Sequence, residues 1–157
     1  MMWRAIATMI IAGLALGATA GIAGAVEAGT SEVGIILGRP TGLSVKLWRG
    51  ETEAFDAAGA WNLENGHFRV HGDYLWHRMS DGGTETPPPD MVYYGVGFRF
   101  LAGTEEGELG LRLPLGLEHF FHGSPVTLFL EVAPVMSVIP ATELDVDYAA
   151  GFRYCFR

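Results

Sequence analysis

What the chain lacks narrows it first. Its 157 residues hold one cysteine, Cys155, which excludes an internal disulfide framework and a zinc site built on cysteines. Positive charge is scarce: 10 Lys+Arg stand against 18 Asp+Glu, a formal net charge of −8. With no basic stripe, no nucleic-acid partner is expected. Charged residues make up only 18% against 49% hydrophobic, so a disordered chain is excluded. The 22 glycines follow no Gly-X-Y period, which excludes collagen. After Val26 no apolar run approaches the ~20 residues of a spanning helix, and no segment there has a helical period. Membrane insertion by that part of the chain would have to use strands.

The opening segment reads as an address. Met1–Arg4 is a short basic start, and Ala5–Val26 follows without a charge. Small-residue triplets then appear at Ala18-Thr19-Ala20, Ala23-Gly24-Ala25 and Val26-Glu27-Ala28. A basic start, an apolar middle and a small-residue site make a cleaved secretory signal peptide. The expected division is a signal over residues 1–25, with Ala28 as an alternative cut, and one domain over residues 26–157. Export leaves Cys155 as a lone thiol in an oxidising compartment. A transmembrane anchor is the competing reading, weakened by the Gly and Ala that dominate the run.

The remainder is a rhythm of alternating segments and turn residues. Eight strands are expected: Glu32–Gly38, Gly42–Arg49, Glu53–Trp61, His67–Arg78, Met91–Leu101, Glu108–His119, Val126–Met136 and Asp145–Phe156. The connectors carry Gly, Pro, Asn, Asp or Ser, and Thr86-Pro87-Pro88-Pro89 in the longest excludes a helix there. Successive strand side chains point to opposite faces, so each strand sorts into two rows. In Glu108–His119 one row is Leu109, Leu111, Leu113, Leu115 and Leu117, and the other is Gly110, Arg112, Pro114, Gly116 and Glu118. In Met91–Leu101, Val92, Tyr94, Val96, Phe98 and Phe100 alternate with Tyr93, Gly95, Gly97 and Arg99. One face is apolar and aromatic; the other is small, with single charges in mid-strand.

The second face is too poor in Lys, Glu, Thr and Ser to meet water, as the outside of a soluble lipocalin-like carrier must. The reverse arrangement fits better: the apolar row in lipid and the charges inside. The expected fold is all-β, an antiparallel up-and-down eight-stranded transmembrane β-barrel. An interior of that size is filled by side chains, with Gly and Ala supplying room. The charges expected to pair there are Lys46, Asp56, Arg69, Asp73, Arg99, Arg112, Glu118, Glu131 and Arg153, with Asp147 also available.

The run Gly151-Phe152-Arg153-Tyr154-Cys155-Phe156 resembles the C-terminal assembly signal of bacterial outer-membrane barrels, matched here by Gly151, Tyr154 and Phe156 and departing from it by ending in Arg157. The chain as a whole is similar to small eight-stranded outer-membrane barrels, broadly of the OmpA-transmembrane-domain and OmpX kind. Landmarks are Gly38–Lys46, Asp73–His77, Arg112–Leu117 and Phe129–Pro134. The resemblance implies an outer-membrane location, with membrane lipids and the barrel assembly machinery as partners. It implies no particular activity.

Other constellations have plainer readings beside the functional ones. His67, His71, Asp73 and His77 share one strand face and could hold a metal, but a polar lining is the expected role. His122-Gly123-Ser124 with Glu131 has the residue types of a lipid A deacylase-like hydrolase, yet Ser124-Pro125 reads as a turn. Pro114 should break or bulge its strand, and Pro134 should end its own. Trp48, Trp61, Tyr74, Trp76, Tyr94, Phe120 and Phe121 are expected in aromatic girdles. The Gly103–Glu108 acidic loop reads as a solvated turn. The Met79–Asp90 connector would lie on the side of the termini, where such barrels keep turns short, unless the strand count is off by one near the start. The expected function is non-enzymatic, structural or interaction-mediating, through an extracellular protein partner if any, with no cofactor, no metal and no sizeable pore. A hydrolase and a soluble periplasmic carrier are the alternatives.

Overall fold

The computed structural model describes residues 27–61, 66–79, 90–103 and 107–156. The expected leader, the Pro-rich stretch of residues 80–89, Glu105-Glu106 and Arg157 lie outside the described residues. Nine strands are described: β1 (Ser31–Arg39), β2 (Gly42–Trp48), β3 (Glu53–Trp61), β4 (Phe68–Met79), β5 (Asp90–Ala102), β6 (Glu108–Arg112), β7 (Leu115–Phe120), β8 (Val126–Ile139) and β9 (Glu143–Phe156). Every pairing is antiparallel, and each strand pairs with its sequence neighbours apart from the division at β6 and β7. The first and last strands pair with each other, from Ser31 opposite Phe156 to Arg39 opposite Tyr148. The sheet is therefore a closed ring, and over that length neither β1 nor β9 leaves a row of unpaired backbone groups.

β6 and β7 share one place in the ring, because each pairs with β5 on one side and β8 on the other. The expected single strand over Glu108–His119 is thus two, and nine strands fill eight positions. The cause is Pro114, which has no N–H for the ladder. Leu113 donates its N–H to the Pro134 carbonyl at 3.0 Å, and Gly95 donates to the Pro114 carbonyl at 2.9 Å. Pro134 corrects a second expectation: it does not end its strand but lies inside β8. A strand residue directs its N–H and C=O toward the same neighbour. Since the Pro134 carbonyl meets Leu113, its missing donor also faces the break, where no regular ladder has to be completed.

The two rows read from the sequence separate cleanly. Leu113, Leu115, Leu117, Leu130 and Phe98 are each more than half exposed on the outside. Lys46, Asp56, Asp73, Arg99, Arg112, Glu118, Glu131, Asp147 and Arg153 are buried inside. Small residues make the interior fit. A side chain at Gly116 would overlap the Tyr93 ring, and one at Gly151 would overlap the Phe129 ring. Both rings are fully buried, so these glycines provide space that no larger residue can.

Ser31, Trp48, Met79, Asp90, Phe120, Val126 and Phe156 lie at one end of the ring, here the terminal end. β4 ends and β5 begins at that end, the side expected for the Met79–Asp90 connection. The strand count near the start is not off by one, because β1 is present and closes onto β9. The opposite rim carries the turns at residues 40–41 and 140–142.

Candidate functional site

The charged interior is the candidate site. Its groups fall into three levels along the axis. Nearest the terminal end, the Lys46 ammonium donates to Glu118 at 2.5 Å and sits 2.8 Å from His77 Nε2. The side chains of Lys46 and Glu118 are 0% exposed. Arg153 donates to the second Glu118 oxygen at 3.1 Å, to Ser44 at 2.9 Å and to Asp56. Aromatic faces complete this level: Lys46 lies 4.2 Å from the Trp48 ring centroid, and Arg153 lies 3.8 Å from that of Phe129. A cation held over a ring face is attracted by the ring quadrupole, more strongly where water is excluded. Trp48 donates its indole N–H to Glu32 at 2.6 Å, and with Ala54, Met91 and Phe120 it forms an apolar cluster at this end.

At the middle level Arg112 bridges Asp73 and Glu131, and Tyr93 donates its hydroxyl to Glu131 at 2.9 Å. Asp56 and Asp73 stand directly opposite each other on β3 and β4. Like charges in that relation repel. The ring resolves this by giving each aspartate a different guanidinium from elsewhere on the ring, Arg153 for Asp56 and Arg112 for Asp73.

At the far rim Arg99 donates to Asp145 and Asp147, both at 3.0 Å, and to Glu108. Arg69 donates to Asp147 at 3.2 Å, and Arg39, from the end of the outer row of β1, reaches over the rim to Asp145 at 3.4 Å. Ser137 donates to Glu108 at 2.6 Å. This level is wetter: the Asp145 side chain is 33% exposed and that of Arg39 48%.

All nine expected lumen charges therefore face inward and meet ionic partners. The sequence reading missed Glu32, Glu108, Asp145 and Tyr93 as members of this network. Glu108 shares its row with Gly110 and Arg112, and Asp145 shares its row with Asp147 and Arg153, so strand parity carried that signal. Parity also places Trp48 with Ser44 and Lys46. Trp48 and Phe120 accordingly point inward, a correction to their expected place in a girdle. Tyr74, Trp76 and Tyr94 do lie outside, in a ring-contact ladder with Phe55: Phe55–Tyr74 at 4.9 Å, Tyr74–Trp76 at 5.0 Å and Trp76–Tyr94 at 5.9 Å. Trp61 and Phe121 are exposed.

The histidines do not converge. His71 approaches Asp73 at 3.8 Å, His77 lies 3.3 Å from Glu118, and His67 is half-buried near the far rim. Among the described residues no three His, Cys, Asp or Glu side chains gather to hold a metal. Ser124 lies in a turn closed by its N–H on the Phe121 carbonyl at 3.1 Å, while Glu131 is engaged inside by Arg112 and Tyr93. Gly151, expected as part of an assembly signal, has a packing role against Phe129; Tyr154 and Phe156 contact each other with ring centroids 4.9 Å apart. The arrangement ties strands around the ring to one another through ion pairs. Most of its carboxylates meet cations on other strands, while Glu32 has the Trp48 indole as its partner.

Comparison of the chain with family models, with curated proteins and with solved structures gives no match.

Proposed function

We propose that the ring is an eight-position transmembrane β-barrel of the bacterial outer membrane. Its role is non-enzymatic, structural or interaction-mediating, in contact with membrane lipids and built by the barrel assembly machinery. The observation that carries this reading is the inversion of polarity: ions inside, large apolar side chains outside on every strand. On the outer face charges occur only at strand ends, as Arg39, Glu53, Arg78 and Asp90. Between them the face is apolar. Along β5 it runs from Val92 to Phe100, which at about 3.4 Å per residue and a tilt of about 40° is about 21 Å along the axis. That approaches the ~25 Å apolar band of outer-membrane barrels. The ladder of Phe55, Tyr74, Trp76 and Tyr94 suits a membrane interface, where aromatic rings concentrate. Ring closure suits a medium without water, in which no strand edge can stay unpaired.

Envelope fractionation followed by gel electrophoresis with and without boiling tests the reading. The expected result is recovery in the outer membrane with heat-dependent mobility. Release by salt or carbonate, with no mobility shift, overturns it. Because ion pairs and aromatic rings fill the interior, planar bilayers containing the protein should show no stable porin-sized conductance.

A further inference from the structure

β9 is longer than the strand it closes onto. β1 ends at Arg39, opposite Tyr148, whereas β9 begins at Glu143. Residues 143–147 pair with β8 on one side, from Ser137 opposite Glu143 to Ala133 opposite Asp147. Among the described residues no strand lies on their other side. The Pro134 carbonyl, bonded by Leu113, turns away from β9, so Val146 opposite it exchanges no backbone bond with β8. Val146 and, two residues earlier, Leu144 therefore direct their backbone N–H and C=O to the open side. The Val146 N–H donates to the Asp145 side chain at 2.8 Å. The Leu144 N–H and the carbonyls of Leu144 and Val146 have no partner among the described residues. Side chains mark the two faces of this edge. Leu144, 84% exposed, and Val146 form its apolar outer row. Glu143, Asp145 and Asp147 form the other row. At this rim Arg39, Arg69 and Arg99 face Glu108, Asp145 and Asp147, which leaves Glu143 exposed and, among the described residues, without a cation.

We propose that this edge takes up an extended segment of a second protein as an added antiparallel strand. Unpaired strand N–H and C=O groups are a template for another strand. Residues of the segment opposite Leu144 and Val146 exchange backbone bonds with them and lay apolar side chains against theirs. Those opposite Glu143 and Asp145 share the acidic row, so a Lys or Arg opposite Glu143 suits it. A second copy of this chain is a poor occupant. In antiparallel self-pairing the carboxylates of the acidic row stand opposite one another, wherever the two-fold axis falls. This edge gives the interaction-mediating role its partner chemistry. It stands whether or not the ring lies in a bilayer, which envelope fractionation tests separately.

The test uses the full chain in neutral detergent and a capped peptide alternating valine and lysine, three of each. Amide NMR shifts report binding, and saturable shifts of the Leu144 and Val146 signals are expected. Leu144→Pro should weaken binding about tenfold or more, because the N–H it removes points to the open side and no bond to β8 is lost. Glu143→Gln should weaken it about two- to fivefold, an effect that high salt erases. N-methylation of the valines, which removes the donors facing β9, should abolish binding, whereas N-methylation of the lysines should not. No saturable shift, binding that Leu144→Pro or valine methylation leaves in full, or equal binding of a valine–glutamate peptide overturns the proposal. So does a dimer in sedimentation that Leu144→Pro dissolves, which assigns the edge to a second copy. Circular dichroism verifies the strand content of each variant; should Leu144→Pro not fold, the methylated peptides decide on the unaltered chain.

Discussion

The two halves of the interior use the same residue types to different ends. Near the terminal end, Lys46, Glu118 and Arg153 are sealed under Trp48, Met91, Phe120 and Phe129, and their side chains have no access to solvent. At the far rim, Arg39, Arg69, Glu108 and Asp145 keep part of their surface in water. Coulomb attraction grows as the local dielectric falls, and so does the penalty for an unpaired charge. The sealed half is therefore the more sensitive to the loss of a partner from its Lys46–Glu118–Arg153 cluster. The open half tolerates imbalance, because water screens what the protein leaves uncompensated. At the rim Arg39, Arg69 and Arg99 meet Asp145, Asp147 and Glu108 in pairs that water can reach.

Substitutions can break this contrast or sharpen it. The largest effect is expected from Glu118→Ala, which strips both Lys46 and Arg153 of an anion in the sealed half. Loss of one partner of a buried pair costs about 3–5 kcal/mol, to be read from urea unfolding in detergent micelles. A smaller loss than at the rim would show that the sealed half admits water. Next comes Gly116→Val, which drives a branched side chain into the Tyr93 ring. Overpacking of this kind costs about 1–3 kcal/mol by the same measurement, and an unchanged midpoint would mean that the Tyr93 level is loosely packed. The smallest effect is expected from Glu108→Gln. Its side chain is 26% exposed, and Arg99 keeps Asp145 and Asp147, so the loss should be about 1 kcal/mol or less and shrink further at high salt. A loss as large as that of Glu118→Ala would erase the distinction between the halves.

Much of this is legible in the sequence. The bounds of β3, Glu53–Trp61, coincide with the segment read from the sequence; alternation puts Arg112 and Glu118 in one row, and that row's poverty in solvent-facing residues turns it inward. Alternation is a local property, set by the geometry of a strand, and a linear text records it well. Pairing is different. Lys46 and Asp56 stand opposite each other on neighbouring strands, which invites a direct bond. Instead Lys46 reaches Glu118 and Asp56 receives Arg153, on strands that β2 and β3 do not pair with. Side-chain length across the interior decides this, and no spacing in the sequence encodes it. The aromatic residues misled for another reason. Trp48 sits at a strand end, where both an interface belt and an interior plug are physically sensible. Only its parity with Lys46 distinguishes the two.

The seam between β1 and β9 bears on the order of events during folding. Each of the other neighbouring pairs joins segments close in the chain, whereas Ser31 meets Phe156 across nearly its whole length. Contacts between distant segments form late, because the entropy of bringing the ends together precedes any reward. Until they form, the sheet has two bare edges, and a bare edge is a template for any strand that arrives first, including one from another copy. Whatever holds those two strands apart from competitors until they meet acts as the chaperone of this fold, and the seam is the place for it to grip.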